Sequence, residues 1–279
     1  MFSAKDIAEY YNTTQVHYEK WWNLKKGLSL HYGIWDENTK NFTDSLINTN
    51  RILMELSKIS NTDKVLDAGC GVGGATIFLN DQKNAEVIGI TLSEKQLKFA
   101  NEIAEQRKID HKVKFKLMDY TQTSFESESF DVIWACESIS SAADKLLFIE
   151  EAYRLLKKGG RLIMSDFFIS NQDQNDPHSW IKKWSDTWGV SLETNDFFIN
   201  NLKNKGFTTI NTFDYTSKIN KSAKRMYYAS LLGAVPSELY NLFHPNVSRF
   251  AKTHYKTGYY QYKALKANLW QYQIVLAVK

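Results

Sequence analysis

The stretch Lys64-Val65-Leu66-Asp67-Ala68-Gly69-Cys70-Gly71-Val72-Gly73-Gly74 constrains this chain more than any other. A short apolar run, the mark of a strand buried in a parallel sheet, breaks into glycines. The amphipathic run Ala75-Thr76-Ile77-Phe78-Leu79 then opens a helix. Strand, glycine turn and helix together predict a place where backbone N–H groups and a helix N-terminus come close to a ligand. Glycine suits the turn because a Cβ would block the approach and because some turn positions need positive φ.

Two cofactor classes use such a turn. Gly69, Gly71 and Gly74 satisfy G-x-G-x-x-G, a weak dinucleotide signal on its own. Asp67 argues against a dinucleotide, because it sets a carboxylate beside the place of a pyrophosphate. The next strand, Glu86-Val87-Ile88-Gly89-Ile90-Thr91, ends in Thr91 where a nicotinamide enzyme usually carries an acid for the ribose. A cationic ligand joining an amino acid to a nucleoside fits better, since Asp67 can receive its ammonium group. S-adenosyl-L-methionine (SAM) is such a ligand.

Val65-Leu66-Asp67-x-Gly69-Cys70-Gly71-x-Gly73-Gly74 resembles the first motif of the class I SAM-dependent methyltransferases. Gly89-Ile90-Thr91-Leu92-Ser93-x-x-Gln96 is similar to the second motif of one branch. That branch holds sterol and tocopherol C-methyltransferases, cyclopropane and mycolic-acid synthases, and sugar or natural-product O-methyltransferases. The resemblance runs from about Tyr10 to Asp166. It implies cofactor contacts from Asp67, Gly69, Cys70, Gly71, Thr91, Leu92 and Gln96, with the Gln96 amide on a ribose hydroxyl.

Ahead of the motif, Ile7, Tyr10 and Tyr11 recur at helical spacing after a Ser3 cap with Asp6 three residues on, which predicts a helix from Ser3 to about Glu19. Tyr18-Glu19-Lys20-Trp21-Trp22 and Leu30-His31-Tyr32-Gly33-Ile34-Trp35 follow. This lead-in resembles the branch's N-terminal cap, which folds over the cofactor and excludes water from the reacting methyl. Tyr11 and Tyr32 are the expected cofactor contacts here, and His31 is a catalytic candidate. Phe42 to about Ile59 reads as an amphipathic helix, and Ser93 caps another running to about Arg107.

The third strand, Val113–Leu117, leads to Met118-Asp119-Tyr120. In the family pattern Asp119 accepts from the adenine amino group, with Tyr120 or Met118 against the ring. The fourth strand, Phe130–Ala135, leads to Cys136-Glu137-Ser138-Ile139-Ser140-Ser141-Ala142-Ala143-Asp144-Lys145. Similar enzymes read Glu-Ser-x-x-His-x-x-Asp-Lys there. Glu137 is therefore expected at both the cofactor's methionine part and the acceptor, orienting the acceptor or stabilising a developing cation. Many O-methyltransferases place a histidine base in this loop. Ser140 and Ser141 stand there instead, so Ser141 is a catalytic candidate while His178 and His244 are further candidates for the base.

Asp144 to Leu156 reads as a helix stopped by Lys157-Lys158-Gly159-Gly160, and Arg161–Phe168 as the fifth strand. Trp180, Trp184 and Trp188 fall on one helix face, as core or as a pocket wall. Asn195–Lys205 and Phe207–Asp214 form a sixth helix–strand unit. Residues 216–268, rich in Tyr, Phe and Lys, insert a lid before a last strand, Tyr272–Val278.

The expected architecture is an α/β domain over residues 1–279: a Rossmann-like, doubly wound, seven-stranded, mostly parallel sheet with an N-terminal helical cap and a C-terminal lid insertion. Residues 1–60 supply the cap and first helices, 61–168 the SAM-binding core and 169–279 the acceptor side, with the lid at about 216–268. The expected function is methyl transfer from SAM to the O or N of a small apolar or aromatic acceptor. C-methylation of a sterol, quinone or isoprenoid lipid is the alternative, and a SAM-binding regulator or scaffold without transfer is a third reading. The net charge of +4 is mild and the lysines are spread, so neither nucleic acid nor an anionic membrane is implied as partner. No apolar stretch reaches spanning length and no signal peptide opens the chain, so a cytoplasmic monomer or homodimer is expected. Cys70 and Cys136 read as reduced thiols, and no His, Cys or acid cluster has metal-ligand spacing.

Overall fold

A computed structural model describes residues 3–21 and 24–279, without the side chains of residues 14–21, 25 and 26. Of the Tyr18–Trp22 run, Trp22 and the remaining side chains lie outside the described residues. The chain opens with α1 (Ala4–Trp21) and α2 (Leu24–Gly27). Ser3 and Asp6 cap α1 reciprocally, the Asp6 N–H donating to Ser3 Oγ at 3.2 Å and the Ser3 N–H to Asp6 Oδ2 at 2.8 Å. The order continues α3 (Phe42–Leu56), β1 (Lys64–Ala68), α4 (Gly74–Lys83), β2 (Glu86–Thr91), α5 (Glu94–Arg107), β3 (Val113–Leu117) and β4 (Phe130–Cys136). Then come α6 (Lys145–Leu155), β5 (Leu156–Ile169), α7 (Trp180–Trp188), α8 (Asn195–Lys205) and β6 (Thr208–Asp214). The lid region holds α9 (Asn220–Phe243), α10 (Arg249–Thr253) and α11 (Thr257–Lys266), and β7 (Trp270–Val278) ends the fold.

The seven strands form one sheet in the order β3-β2-β1-β4-β5-β7-β6, parallel except for β7, which runs antiparallel to both neighbours. This is the doubly wound, mostly parallel α/β sheet, with helices on both faces. Alternate residues of each strand serve opposite faces. Leu66, Ile133, Leu162 and Met164 pack with Phe148 and Ile149 of α6 and Phe198 and Leu202 of α8. Val65, Val132, Trp134 and Ile163 pack on the other face with Leu53, Leu79, Trp184 and Leu265. Chain direction across the sheet switches between β1 and β4, which opens a crevice beyond their C-terminal ends.

Three local readings change. The Gly159-Gly160 pair does not stop α6. Leu156 does so in an extended conformation, φ −71° and ψ 136°. The glycines belong to the start of β5, where the Gly159 N–H donates to the Lys279 carbonyl and the Lys279 N–H to that of Gly160, each at 2.9 Å. Helix α3 ends at Leu56, three residues early, and β7 starts two residues earlier, at Trp270, whose register partner is Ile169. The tryptophan face of α7 divides its duties: Trp184 is fully buried in the core, while Trp188 stacks on it at 6.0 Å between ring centroids and reaches a cavity.

Candidate active site

Two cavities meet beyond the C-terminal ends of β1 and β4. The first is lined by Asp67, Gly69, Cys70, Gly71, Thr91, Leu92, Gln96, Tyr120, Glu137 and Ser141, with Tyr11 and the 28–31 segment above them. It therefore gathers most of the residues expected at the cofactor. Gly69 and Gly71 have φ of 89° and 54°, as the turn requires. A Cβ on Gly74 would stand 1.7 Å from the Leu28 carbonyl oxygen, so this glycine lets the N-terminal segment lie across the start of α4. One part of the sequence reading changes. The Gly69 and Cys70 N–H groups both donate to the Ile90 carbonyl, at 3.0 and 2.9 Å, so the turn gives close approach rather than these two donors.

Asp67 is 2 % exposed. The Thr76 hydroxyl donates to its Oδ2 at 2.6 Å, and burial pushes the carboxyl up to about 7 against that hydrogen bond. At the end of β2, Thr91 Oγ1 donates to Gln96 Oε1 at 2.7 Å, which orients the amide and leaves its NH2 to donate elsewhere. Tyr120 is pinned by its hydroxyl, which donates to the Ser138 carbonyl at 2.7 Å. Ser93 both caps α5 and donates to Asn12 Oδ1 at 2.6 Å, while Lys95 Nζ donates to the Asn12 carbonyl at 2.6 Å. These contacts tie the N-terminal helix to the second motif and close one side of the cavity. Tyr11 and Ser141 both line this cavity, and burial raises the Tyr11 phenol above its ordinary value.

The second cavity is lined by Tyr10, Tyr32, Phe167 and Trp188, and by α9 and α11 through residues such as Met226, Gly233 and Gln261. Among the described residues its lining contains no Lys or Arg. Leu30, His31, Glu137 and Trp188 border both cavities and form the wall between them.

Glu137 holds the centre of that wall. Its φ is 50°, a left-handed conformation that strains a residue with a Cβ. The strained backbone is held by its N–H, which donates to the Ser165 carbonyl at 2.8 Å. Its Oε1 accepts from the Tyr32 N–H at 2.7 Å and from the Tyr272 hydroxyl at 2.8 Å. Burial nevertheless pushes the carboxyl up to about 8, with the Asp166 charge adding to the rise. Asp166 accepts from the Ile139 and Ser140 N–H groups, both at 2.9 Å, and so shapes the turn that follows Glu137.

His31 is buried, and burial lowers it to about 4. Its Nδ1 lies 2.9 Å from the Tyr32 carbonyl, an acceptor, so Nδ1 carries the proton of the neutral ring and Nε2 holds the lone pair. Among the described residues, Nε2 has no partner at hydrogen-bonding geometry, and the Asn50 side chain lies nearby.

Two residues expected at the cofactor do not line the first cavity. Tyr32 lines the second cavity, its ring packed against Phe167 at 5.6 Å and Tyr272 at 6.5 Å. Asp119 is not part of either lining, and its Oδ1 accepts from the Thr121 N–H at 2.8 Å and hydroxyl at 2.7 Å. His178 stacks on Trp180 and His244 on Tyr240, both away from the wall. The partner that sequence reading missed is Tyr272. The strand reading reached this residue, yet only the antiparallel pairing of β7 with Phe167 on β5 brings its hydroxyl to Glu137.

Tocopherol O-methyltransferase, chloroplastic, of Arabidopsis thaliana is 36% identical over 172 residues, covering 57% of this chain and 48% of the relative. The 27-O-demethylrifamycin SV methyltransferase of Amycolatopsis mediterranei (strain S699) is 34% identical over 143 residues, 51% of this chain and 53% of the relative. The chain thus matches about half the length of each of these curated relatives. Among solved structures, the cyclopropane synthase MmaA2 from Mycobacterium tuberculosis superposes with a TM-score of 0.84 at 13% identity, covering 100% of this chain and 99% of that one, a likeness of fold. A family described as "Methyltransferase domain" matches residues 59–206, just over half of the 279. With its glycine turn, its doubly wound sheet and this match, the chain belongs to the methyltransferase-domain family.

Proposed function

We propose that the chain transfers a methyl group from SAM to a small, largely apolar acceptor, by O- or N-methylation. The observation that carries this reading is the pair of cavities sharing one wall: a glycine-turn cavity with a buried carboxylate, and an apolar, aromatic cavity on the other side of Glu137 and His31. The residues of the first cavity suit SAM. Asp67, held by burial at about 7, gains from a nearby ammonium, the Gln96 NH2 is left to donate to a hydroxyl, and Tyr120 and Leu92 offer apolar surface to a purine. When bound, SAM supplies a methyl already activated by a sulfonium with a neutral leaving group, so positioning and exclusion of water provide most of the rate. The sequence expectation that Asp119 meets the adenine amino group remains part of the proposal and requires its free oxygen to turn inward.

On the acceptor side, Glu137 orients the acceptor and balances positive charge that develops near the wall. His31 stays neutral throughout the physiological range, so its Nε2 lone pair accepts a hydrogen bond from an acceptor hydroxyl and aligns it, while the proton released when the oxygen takes the methyl passes to the ionised form of Glu137 on the same wall. Ser141 lines the first cavity together with Tyr11. We place the protein in the cytoplasm, as a monomer or homodimer, with one domain divided into cap, core and lid as the sequence predicts. Among the described residues no helix is long and apolar enough to cross a membrane.

One observation favours C-methylation of an isoprenoid-like acceptor as a second reading. Glu137 is flanked by the Tyr32, Phe167, Tyr272 and Trp188 rings, a wall suited to a carbocation. Among the described residues no Lys or Arg lines this cavity, which favours an uncharged acceptor over a diphosphate.

The test is calorimetric titration with S-adenosylhomocysteine (SAH) and with NADH, followed by transfer of labelled methyl to a panel of ring hydroxyls, amines and isoprenoids. Micromolar SAH binding without NADH binding, and label on one acceptor class, is the expected result. NADH binding without SAH binding would overturn the cofactor. SAH binding with no transfer across the panel would favour a SAM-binding regulator or scaffold.

A further inference from the structure

The lid segregates charge and apolar surface in a way the whole-chain composition hides. Residues 216–268 carry nine cations, Lys218, Lys221, Lys224, Arg225, Arg249, Lys252, Lys256, Lys263 and Lys266, against the single acid Glu238. That is +8 in 53 residues of a chain whose total is +4, so the remainder is −4. The even spread of lysines read from the sequence therefore leaves the acids out of account: they are nearly all elsewhere.

Helix α9 adds apolar surface to that charge. Tyr228, Leu231, Leu232, Val235, Leu239, Tyr240, Leu242 and Phe243 are all at least 46 % exposed, with Leu232 at 70 %, Leu242 at 75 % and Phe243 at 79 %. Most of them repeat at spacings of three and four, which makes one stripe on the helix. The stripe continues towards the N-terminus as the exposed cations Lys221, Lys224 and Arg225, with Lys224 Nζ over the Tyr228 ring at 5.9 Å. The opposite face, through Met226, Ala229, Ser230, Gly233 and Ser237, lines the acceptor cavity. One helix thus separates that cavity from an exposed apolar stripe with cations in line at its N-terminal end.

We propose that α9 docks this protein on the surface of an anionic lipid bilayer, with the apolar stripe in the interfacial region and the lid cations on the headgroups. Apolar residues on an exposed helix face, with Lys and Arg in line with them, suit an interface of acyl chain and anionic headgroup. A second copy of the chain is disfavoured as the occupant, because pairing the stripes would bring together two lid segments each of net charge +8, with Lys221, Lys224 and Arg225 in line with the stripe. Docking rests on α9 and its charge, and holds whatever the cavity takes. On the reading that the acceptor is apolar, it also sets the acceptor cavity one helix away from the phase in which such a molecule dissolves.

The experiment is sedimentation of the full chain with vesicles of phosphatidylcholine alone and of phosphatidylcholine with phosphatidylglycerol at 3:1, at low and moderate salt. The wild type should partition at least tenfold more strongly to the anionic vesicles, and salt should reduce this. Replacing Leu232, Leu242 and Phe243 by Ser should lower binding at least tenfold, with circular dichroism and SAH affinity unchanged. Lys221→Glu with Lys224→Glu should remove the preference for anionic lipid. No partitioning to either vesicle, or partitioning that ignores the stripe variant, overturns the proposal. So does a wild-type dimer, seen by light scattering, that the stripe variant dissociates, since the stripe would then be an interface between copies. Capture of an acidic protein through the stripe without vesicle binding overturns it as well.

Discussion

Replacing Asp67 by Asn separates what the buried carboxylate costs the fold from what it does for the ligand. The carboxyl ordinarily titrates at 3.8 and is moved to about 7 by burial. Each pH unit of that difference corresponds to about 1.36 kcal/mol, so the ionised side chain destabilises the fold by up to about 4 kcal/mol above pH 7. The sign follows from proton counting. Between pH 3.8 and about 7 the folded chain holds a proton that the unfolded chain has lost, so the Asp67 contribution to stability falls as pH rises through this window. Asn keeps the shape, and its oxygen still accepts from the Thr76 hydroxyl, without the charge. Urea unfolding at pH 4, 5.5, 7 and 8 should therefore show little difference at pH 4 and a growing advantage for Asp67→Asn towards pH 8. Calorimetry at pH 8 should show SAM affinity lowered at least tenfold, about 1.4 kcal/mol, because the ammonium loses its counter-charge. A stability difference that does not change with pH would refute the burial effect, and unchanged SAM affinity would refute the ammonium anchor.

Three further outcomes are expected. Glu137→Gln should lower turnover more than cofactor affinity, measured as kcat against SAH dissociation. An equal loss in both would place the residue at the methionine part instead. SAM binding near pH 7.5 should release up to about one proton, since carboxyls at about 7 and about 8 are both partly protonated there and a cation favours their ionised forms. Heats of binding in buffers of different ionisation enthalpy measure this, SAH without the sulfonium should release less, and equal heats in all buffers would contradict it. Gly74→Ala should cost about 1–3 kcal/mol in urea unfolding and weaken SAH binding, because its Cβ collides with the Leu28 carbonyl and displaces the segment over the cavity. A variant equal to wild type in both would show that this segment shifts freely.

The path from residues to site runs through local rules first. The Ser3 and Ser93 caps lie where hydroxyl side chains precede an amphipathic run, and each meets a backbone N–H as its position requires. The strand ends that carry Asp67, Thr91 and Glu137 are legible for the same reason. An apolar run of five to seven residues followed by glycine or polar residues marks both the strand and the edge of the crevice. Cavity residues such as Leu92, Gln96 and Tyr120 come with those edges, since they follow within a few positions.

What the sequence by itself determined is the doubly wound sheet, the glycine turn and most of the side chains at the crevice, because period, capping and turn chemistry act over a few neighbouring residues. The tertiary structure alone decided how distant segments meet. Tyr272 reaches Glu137 through the register of an antiparallel strand pair, and Tyr32 faces the second cavity because its N–H is bound to Glu137, 105 positions away in the chain. The Gly69 and Cys70 N–H groups go to Ile90 because β1 and β2 lie side by side. The apolar stripe of α9 lies open to solvent because α11 and the acceptor cavity take up the helix's other side, and no pattern within α9 says which of its apolar sides will be covered. Side-chain type and spacing are properties of the chain, while which groups face one another depends on packing between segments far apart in sequence.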